Sequence, residues 1–341
     1  MTMTSTNSAS MGPIRRTERP QKRWRDTALL LALFALVVAG LIGAAAATGW
    51  EETKAQLAKL SLWQFAVLLG LSLANYLLRG LRWHLFAAKL GLGLGTVANF
   101  IHFLGGFAMS VTPGRVGELV RMRWIGRETG WSFERTAPLV LVDRASDLAA
   151  MGLILGIALA FSTTGIAGGI PVTVLALIGA LVVTRPVLLE KIATLGHRWL
   201  GRLPRLFAKV RRAARSLQVF SAPGLTALAL LIGLVGWFAE GYAFHLLLVW
   251  MGADIGVSKA IAIFVFASLA GGLTGAPGGV GGAEAAMVAL LTLEGVGPET
   301  SLPATAIIRV TTLWFAIGIG LILFPVAEKH SKKAQNALEN R

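Results

Sequence analysis

Long apolar segments constrain this chain of 341 residues more than any other feature of its sequence. A helix needs about 20 mostly apolar residues to cross the hydrocarbon core of a bilayer. Five runs approach that length, and a sixth is shorter but still apolar enough to span. The composition is far from that of a soluble domain, because 55% of the residues are hydrophobic and only 14% are charged. We predict an all-α polytopic membrane protein with about six transmembrane helices, at 28–48, 62–78, 138–161, 170–184, 225–250 and 303–325.

The basic residues lie mostly on one side of these predicted spans. Of the 32 Lys and Arg residues, 27 fall in segments 1–26, 79–135, 185–222 and 327–341. The positive-inside rule places these segments, and with them both termini, in the cytoplasm. The net charge of +15 is therefore attributed to membrane topology and to attraction for anionic lipid headgroups. Nucleic-acid binding is not expected.

Three further expectations follow from composition. The bias toward Ala, Gly, Leu and Arg is typical of a GC-rich bacterium, so we expect a multi-pass protein of the bacterial inner (plasma) membrane. The first apolar run is longer than the roughly 7–15 apolar residues of a secretory signal, which indicates a retained anchor. The chain has no cysteine, so it has neither disulfides nor thiolate metal sites.

The segment 185–222 combines apolar and basic residues at roughly helical spacing, with an interruption at Pro204. This pattern predicts amphipathic helices on the cytoplasmic membrane surface. A solvated connector between two halves of the chain explains the same charge, and the two interpretations are compatible. The predicted organisation is a basic tail at 1–26, a first membrane repeat at 27–184, this basic loop, a second repeat at 223–326 and a tail at 327–341.

The two repeats are predicted from matches within the sequence. Pro113, Gly114, Val116 and Gly117 correspond to Pro277, Gly278, Val280 and Gly281 at an offset of 164 (277 − 113). Two further pairs lie at offsets of 161 and 165, namely His84 with His245 and Arg144 with Arg309. The matches are short, so chance remains an alternative for any one of them. Three predicted spans separate the two Pro-Gly motifs, so the second copy would be inverted in the membrane.

Each Pro-Gly motif interrupts an apolar segment that is too short or too rich in glycine for an ordinary span. We predict two re-entrant helical hairpins, at 97–125 and 259–293, which enter the membrane from opposite sides. Non-helical backbone at membrane depth is tolerated where it is buried in protein or lines a wet cavity. We therefore expect each hairpin tip to face an internal cavity.

The tips carry features suited to an anion. A helix that begins just after each Pro-Gly would direct unpaired backbone N–H groups and its positive dipole end at the cavity. Arg115 and Arg121 add donors that fit phosphate or carboxylate. The alternative is that each motif is only a tight turn, in which glycine lets helices pack closely.

Ionisable residues also occur deep within the predicted spans. Asp143 and Asp147 lie on one face of the third span beside Arg144, and Arg309 lies at a comparable depth from the opposite surface. Glu240 and Glu284 belong to the same class. Such residues are costly in a membrane and indicate function. The alternatives are fixed ion pairs, such as Arg144 with Asp147 or Arg309 with Glu284, and a proton relay.

Motifs for other chemistry are missing from the sequence. The five histidines have no metal-ligand spacing of the HExxH type, and neither a GxSxG motif nor a phosphate-binding GxxxxGK[ST] loop occurs. We therefore expect no cofactor, no metal and no catalytic residues.

The segments TPGRVGELVR, VDRASDLAAM and APGGVGGAEAAM resemble the lysylphosphatidylglycerol synthase transmembrane-domain family, also called flippase-like or UPF0104 proteins. The resemblance extends over roughly residues 60–325. Its motifs correspond here to Pro113, Gly114, Gly117, Glu118 and Arg121, and to Pro277, Gly278, Gly279, Gly281 and Glu284. Many relatives have an arginine shortly before the glutamate that corresponds to Glu284, and this chain has Gly-Gly-Ala there.

The resemblance implies a lipid translocase that moves an anionic or polyprenyl-linked membrane lipid between leaflets. Full-length synthases of the family carry a soluble transferase domain that is not expected here, so lipid aminoacylation is not predicted. Rival hypotheses are a small-solute or ion transporter, a membrane-embedded enzyme that modifies a lipid headgroup with Glu118 or Asp143 as general base, and a scaffold. The predicted substrate-binding residues are Pro113, Gly114, Arg115, Gly117, Glu118, Arg121, Asp143, Arg144, Asp147, Pro277, Gly278, Gly279, Gly281, Glu284 and Arg309.

Overall fold

The computed structural model describes residues 60–112, 116–161, 169–185 and 217–340, with Lys54, Ala58 and a few residues between 187 and 195. The predicted first span at 28–48, the N-terminal tail and most of the basic loop lie outside the described residues. Within these ranges the chain forms helices and no strands. This confirms the all-α class.

Five α-helices form the first half of the described chain. They are α1 (Leu62–Lys89), α2 (Thr96–Gly105), α3 (Val116–Thr129), α4 (Phe133–Ala160) and α5 (Gly169–Thr184), and a 3₁₀ segment at Gly106–Val111 extends α2 toward the first Pro-Gly. Helix α1 begins with a capping box, in which Ser61 Oγ accepts from the Gln64 amide at 3.3 Å and Gln64 Oε1 accepts from the Ser61 amide at 2.8 Å.

The second half begins with a 3₁₀ turn at Leu217–Phe220 and contains five more α-helices. They are α6 (Pro223–Trp250), α7 (Val257–Leu273), α8 (Gly282–Leu293), α9 (Pro298–Arg309) and α10 (Phe315–Glu339), with a 3₁₀ turn at Pro277–Gly279 and a π-helical segment at Val310–Trp314 between α9 and α10. Helix α10 therefore continues well beyond the predicted end of the last span at residue 325.

Three helical stretches of the described chain are long and apolar enough to cross a membrane: α1, α6 and the continuous stretch Pro298–Glu339. Helix α4 is as long as α1, but it carries Asp143, Arg144 and Asp147 near its middle. Helix α5 has only 16 residues. The protein is thus a multi-pass membrane protein in which one long helix contributes charge to the interior.

The chain turns back on itself at both predicted hairpins. In the first hairpin, a Cβ on Gly117 would lie 2.4 Å from the carbonyl oxygen of Gly106, so α3 returns in close contact with the 3₁₀ segment. In the second, a Cβ on Gly271 would lie 2.7 Å from the Cβ of Ala283. The second tip lies against the 3₁₀ segment of the first hairpin, because a Cβ on Gly278 would lie 3.5 Å from the carbonyl oxygen of Ser110. Their re-entrant placement in a membrane stays a prediction.

Helix boundaries recur at the offsets found in the sequence. Helices α1 and α6 each have 28 residues and begin 161 residues apart (223 − 62). Helices α4 and α9 begin 165 residues apart (298 − 133), and each contains a proline, Pro138 and Pro303, at its sixth position. The helix boundaries thus share the offsets of the sequence matches, and both the repeat and its inverted orientation stay predictions.

Arg79 and Arg82 of α1 and Asp143 and Asp147 of α4 are buried, and two apolar clusters draw side chains from the same two helices. One joins α4, α6, α7, α8 and α9 through side chains such as Leu155, Phe244 and Ile308. The other packs Trp83 and Phe86 of α1 against Phe103 and neighbouring residues of the first hairpin. The residues that face each other between α1 and α4 are therefore shielded from solvent.

Candidate functional site

An ion-pair network joins α1 to α4. Arg82 lies at its centre with a fully buried side chain, and its Nη2 donates to Asp143 Oδ1 and to Asp147 Oδ1, both at 2.7 Å. Arg82 Nε also donates to Asp143 Oδ1, at 3.1 Å. Buried charge is tolerated when it is paired and hydrogen-bonded in this way. The contacts fix α1 against α4.

Two more arginines share Asp147. Arg79 Nη2 donates to Asp147 Oδ2 at 2.9 Å, and Arg144 Nη1 donates to the same oxygen at 3.3 Å. The side chain of Arg144 is 28% exposed, whereas that of Arg79 is 10% exposed. Trp237 of α6 donates from Nε1 to Asp147 Oδ1 at 3.2 Å. Arg144 is thus the most accessible of the three guanidinium groups.

Arg79 and Arg82 are functional-site candidates that the sequence did not predict. They belong to the basic stretch 79–135, which was predicted to be cytoplasmic, but the structure buries them and gives each an aspartate partner on α4. A signal was available: the two arginines are three residues apart on one helix and the two aspartates four apart on another. Each pair therefore lies on one helical face.

Arg121 connects the first hairpin to this network. It is buried on α3, and its guanidinium carbon lies 4.3 Å from the centroid of the Phe103 ring. The guanidinium carbon of Arg79 lies 5.9 Å from the same centroid. The aromatic ring offers both cations a favourable contact. Phe103 therefore brings the predicted residue Arg121 close to the arginines of α1.

Arg309 holds the second tip. Its Nε donates to Glu284 Oε1 at 2.6 Å, and its Nη2 donates to the carbonyl oxygen of Gly278 at 2.8 Å. Glu284 Oε2 accepts from the Gly281 amide at 2.7 Å, so this carboxylate already occupies the N-terminal end of α8. A guanidinium does reach the second tip, but it comes from α9 rather than from the residues before Glu284.

Glycine shapes the second tip. Gly278, Gly279 and Gly281 have φ angles of 60°, 69° and 86°, in the left-handed region where other L-residues are strained. This agrees with the interpretation of the motif as a tight turn. At the first tip, Pro113, Gly114 and Arg115 lie outside the described residues, and so does the side chain of Glu118.

A tyrosine of α1 links the two halves of the site. The hydroxyl of Tyr76 donates to the carbonyl oxygen of Thr312 in the π-helical segment, three residues after Arg309. Tyr76 is also three residues before Arg79 in α1, so one side chain of α1 joins the second half to the arginine network.

The predicted site residues that the structure describes form two groups. Arg121, Asp143, Arg144 and Asp147 lie around α1, and Gly278, Gly281, Glu284 and Arg309 form the second tip.

A separate polar cluster lies where α3 ends beside α10. Glu328 accepts from Arg123, Trp124 and Arg127 at 2.6–2.8 Å. Nearby, Oε1 of Glu128 lies 2.9 Å from His102 Nε2 and 2.9 Å from His330 Nδ1. Burial disfavours the charged form of Glu128, but the contacts with both histidines hold the pKa of this carboxyl below its usual value.

The family model of the lysylphosphatidylglycerol synthase transmembrane region matches residues 28–320. A UPF0104 membrane protein of Methanothermobacter thermautotrophicus is 26% identical over 271 residues, which cover 72% of this chain and 80% of that protein. A second match to a UPF0104 membrane protein of the same organism is 28% identical over 108 residues, which cover 32% of this chain and 31% of that protein.

Proposed function

Because this chain belongs to the family of the lysylphosphatidylglycerol synthase transmembrane region, we propose that it is a lipid translocase. It moves an anionic or polyprenyl-linked lipid between the leaflets of the bacterial inner membrane, with both termini in the cytoplasm. The single observation that carries the proposal is the convergence of Arg79, Arg82 and Arg144 on two aspartates between apolar helices. A scaffold needs no such arrangement, because apolar residues in place of a buried ion pair usually give a fold that is equally stable or more stable.

Arg144 is the residue that binds the lipid phosphate. Its contacts with Asp147 and Asp143, at 3.3 and 3.9 Å, are longer than those of Arg79 and Arg82. It is also partly exposed, so its guanidinium can turn toward a headgroup while Arg79 and Arg82 keep the aspartates neutralised. Arginine suits this task because its planar donors match two phosphate oxygens.

The two hairpin tips guide the headgroup. Arg115 and Arg121 receive the phosphate from the cytoplasmic side, and the glycine-rich turn at Gly278 and Gly281 lies against the 3₁₀ segment of the first hairpin. Glu284 and Arg309 keep this turn closed until the headgroup phosphate competes for the guanidinium. Movement of one repeat against the other then exposes the site to alternate leaflets. No turnover of the lipid is involved.

An enzymatic function is less well supported by the geometry. Asp143 Oδ1 accepts two hydrogen bonds from Arg82, and Asp147 accepts from Arg79, Arg82 and Arg144. Both carboxylates are already engaged by guanidinium donors, so neither is well placed to take a proton from a substrate. The paired aspartates are better suited to positioning the arginines.

Native mass spectrometry of the detergent-purified protein tests which ligand is held. Wild type is compared with Arg144→Gln and Arg121→Gln, and Arg123→Gln is the matched control because Arg123 lies on α3 and pairs with Glu328. We expect a phosphate-bearing lipid to remain bound in wild type and control and to be lost in the other two variants.

Reconstitution then tests movement. In proteoliposomes that contain a fluorescent anionic phospholipid, Arg144→Gln is expected to slow transfer between leaflets at least about tenfold, since a hydrogen bond to a charged group contributes about 1.5–3 kcal/mol. Equal transfer by wild type and Arg144→Gln would contradict the assignment of Arg144. Displacement of the bound species by a soluble anion, with no effect of lipid headgroup, would favour the small-solute transporter.

A further inference from the structure

Three side chains with metal-ligating atoms meet where the first hairpin contacts the last helix. His102 comes from α2, Glu128 from the last turn of α3, and His330 from α10. One ligand atom from each lies within 4.8 Å of the others. The three residues take no part in the proposed lipid transfer.

The position of the His102 ring is fixed by its surroundings, as is usual for a metal ligand. Its side chain is fully buried, and its ring stacks on Trp124 with centroids 5.7 Å apart. Trp124 is in turn fixed by its hydrogen bond to Glu328 Oε2, at 2.8 Å. Within the part of the chain that the structure describes, neither ring nitrogen of His102 makes a hydrogen bond of normal geometry, although Nε2 lies 2.9 Å from Glu128 Oε1. A buried imidazole of this kind is costly unless it has a partner.

We propose that His102, Glu128 and His330 bind a zinc-class divalent cation, which ties the first hairpin to α10. Two imidazole nitrogens and one carboxylate form a ligand set that favours Zn²⁺ over the oxygen-seeking Mg²⁺ and Ca²⁺. The three ligands leave one coordination position for water, on the side where His330 is 53% exposed. Ion entry occurs from that side.

The separations between Glu128 and each histidine need only small adjustments to hold the ion. Ligand atoms around a tetrahedral Zn²⁺ lie about 3.4 Å apart, given metal–ligand distances near 2.0–2.2 Å. Both histidine nitrogens lie 2.9 Å from the same oxygen of Glu128, so each of these separations opens by about 0.5 Å. His330 is the exposed member of the set, so its side chain can make most of this movement.

The signal for this site is absent from local sequence spacing. His102 and His330 are separated by 228 positions (330 − 102), and Glu128 lies 26 residues after His102 (128 − 102). Metal motifs are recognised when two ligands lie within a few residues on one helix or loop. Here each ligand comes from a different helix, so only the packing of α2, α3 and α10 brings them together.

Zinc binding to the full chain tests the proposal directly. Tag-free protein is stripped with a chelator, titrated with ZnCl₂ alone and analysed for metal content and melting temperature. The variants are His330→Ala and Glu128→Gln, and Lys329→Ala is the matched control because Lys329 is an exposed neighbour of His330 on the same helix. We expect one zinc per chain in wild type and control, and a melting temperature that rises with zinc but not with MgCl₂ at the same concentration.

Loss of a ligand should weaken zinc binding at least about tenfold in both variants, since even second-shell changes cost that much at metal sites. X-ray absorption of the zinc-loaded protein should show nitrogen and oxygen ligands only. The proposal is overturned if stripped wild type binds no zinc, or if His330→Ala binds it as tightly as wild type. His330 is exposed, so its replacement leaves the fold intact and either result is informative. The outcome is independent of lipid transfer, which is measured at Arg144.

Discussion

The two halves of the molecule hold their paired arginines in different ways. In the first half, Arg82 is fully enclosed and donates to two aspartates of a neighbouring helix. In the second, the side chain of Arg309 is 12% exposed and reaches one glutamate and one backbone carbonyl oxygen. The first arrangement locks two helices together, whereas the second locks a glycine turn. Ion pairs therefore hold α1 against α4 in the first half and hold only the turn at Gly278 in the second.

The offset of 165 residues (309 − 144) makes this difference informative. Arg144 corresponds to Arg309 at this offset, but Asp143 and Asp147 correspond to Ile308 and Thr312. The arginine thus recurs without its carboxylates. If the two halves are copies, the paired aspartates belong to the first half alone. A phosphate site built on them then has no counterpart in the second half and does not lie on the symmetry axis that relates the copies.

Removing the central arginine of the first half should have the largest effect. Arg82→Ala leaves Asp143 without two of its donors in a buried site, and breaking such a pair costs about 3–5 kcal/mol. We expect a loss of that size in the free energy of unfolding, measured by SDS titration of detergent-solubilised protein. The control Arg123→Ala removes an arginine with a 44% exposed side chain and should cost less than about 1 kcal/mol. Equal losses for the two variants would mean that the network does not fix α1 against α4.

The glycine of the first tip should come next. A Cβ on Gly117 would lie 2.4 Å from a backbone oxygen of Gly106. Because that atom belongs to the backbone, the clash is relieved only if α3 moves away from the 3₁₀ segment. Gly117→Ala is therefore expected to lower the free energy of unfolding by about 2–3 kcal/mol, in the range of overpacked cores. The matched control is Gly70→Ala in α1, where a Cβ meets nothing within 4 Å and helix propensity gains up to about 1 kcal/mol. A neutral result at both positions would argue against close packing in the first hairpin.

The fold class, the helices that contain the predicted spans 62–78, 225–250 and 303–325 and the turn at Pro277-Gly278 could be predicted because they depend on local composition. The length of an apolar run determines whether a helix can span the membrane, and a glycine after a proline, such as Gly278, indicates a turn whatever the rest of the fold. Asp143, Arg144 and Asp147 were recognisable for a similar reason, since charge within an apolar run needs no partner to be noticed.

The partners of these residues could not be predicted in the same way. Arg79 and Arg82 lie near the end of an apolar run, where basic residues are ordinary surface markers. Their burial depends on how α1 packs against α4, at a sequence separation of 61 for Arg82 and Asp143. The grouping of His102, Glu128 and His330 depends likewise on tertiary packing. Local sequence patterns do not show which residues pair when they are far apart in the chain.

The arginine of the second half should have a moderate effect. Arg309→Ala removes hydrogen bonds to Glu284 and to Gly278, and hydrogen bonds to charged groups contribute about 1.5–3 kcal/mol. Because the pair is partly exposed, we expect the lower end of that range, about 2 kcal/mol. A double-mutant cycle with Glu284→Ala isolates the pair from the capping contact that Glu284 makes with Gly281. A cost as large as that of Arg82→Ala would remove the contrast between the two halves.

The smallest effect is expected at the glycine of the second tip, where backbone conformation rather than space is decisive. Gly278 has a φ of 60°, and a Cβ there would lie 3.1 Å from Leu313 Cδ2, a side-chain atom that can move slightly. Gly278→Ala should therefore lower the free energy of unfolding by about 1 kcal/mol, the cost of a left-handed alanine. Asparagine tolerates this conformation better than alanine does, so Gly278→Asn should be the milder change. At Gly117 the order should reverse, since the obstacle there is volume and asparagine is the larger residue. The same SDS titration of all four variants measures both orders, and a shared order at the two positions would show that the tips use glycine for one and the same reason.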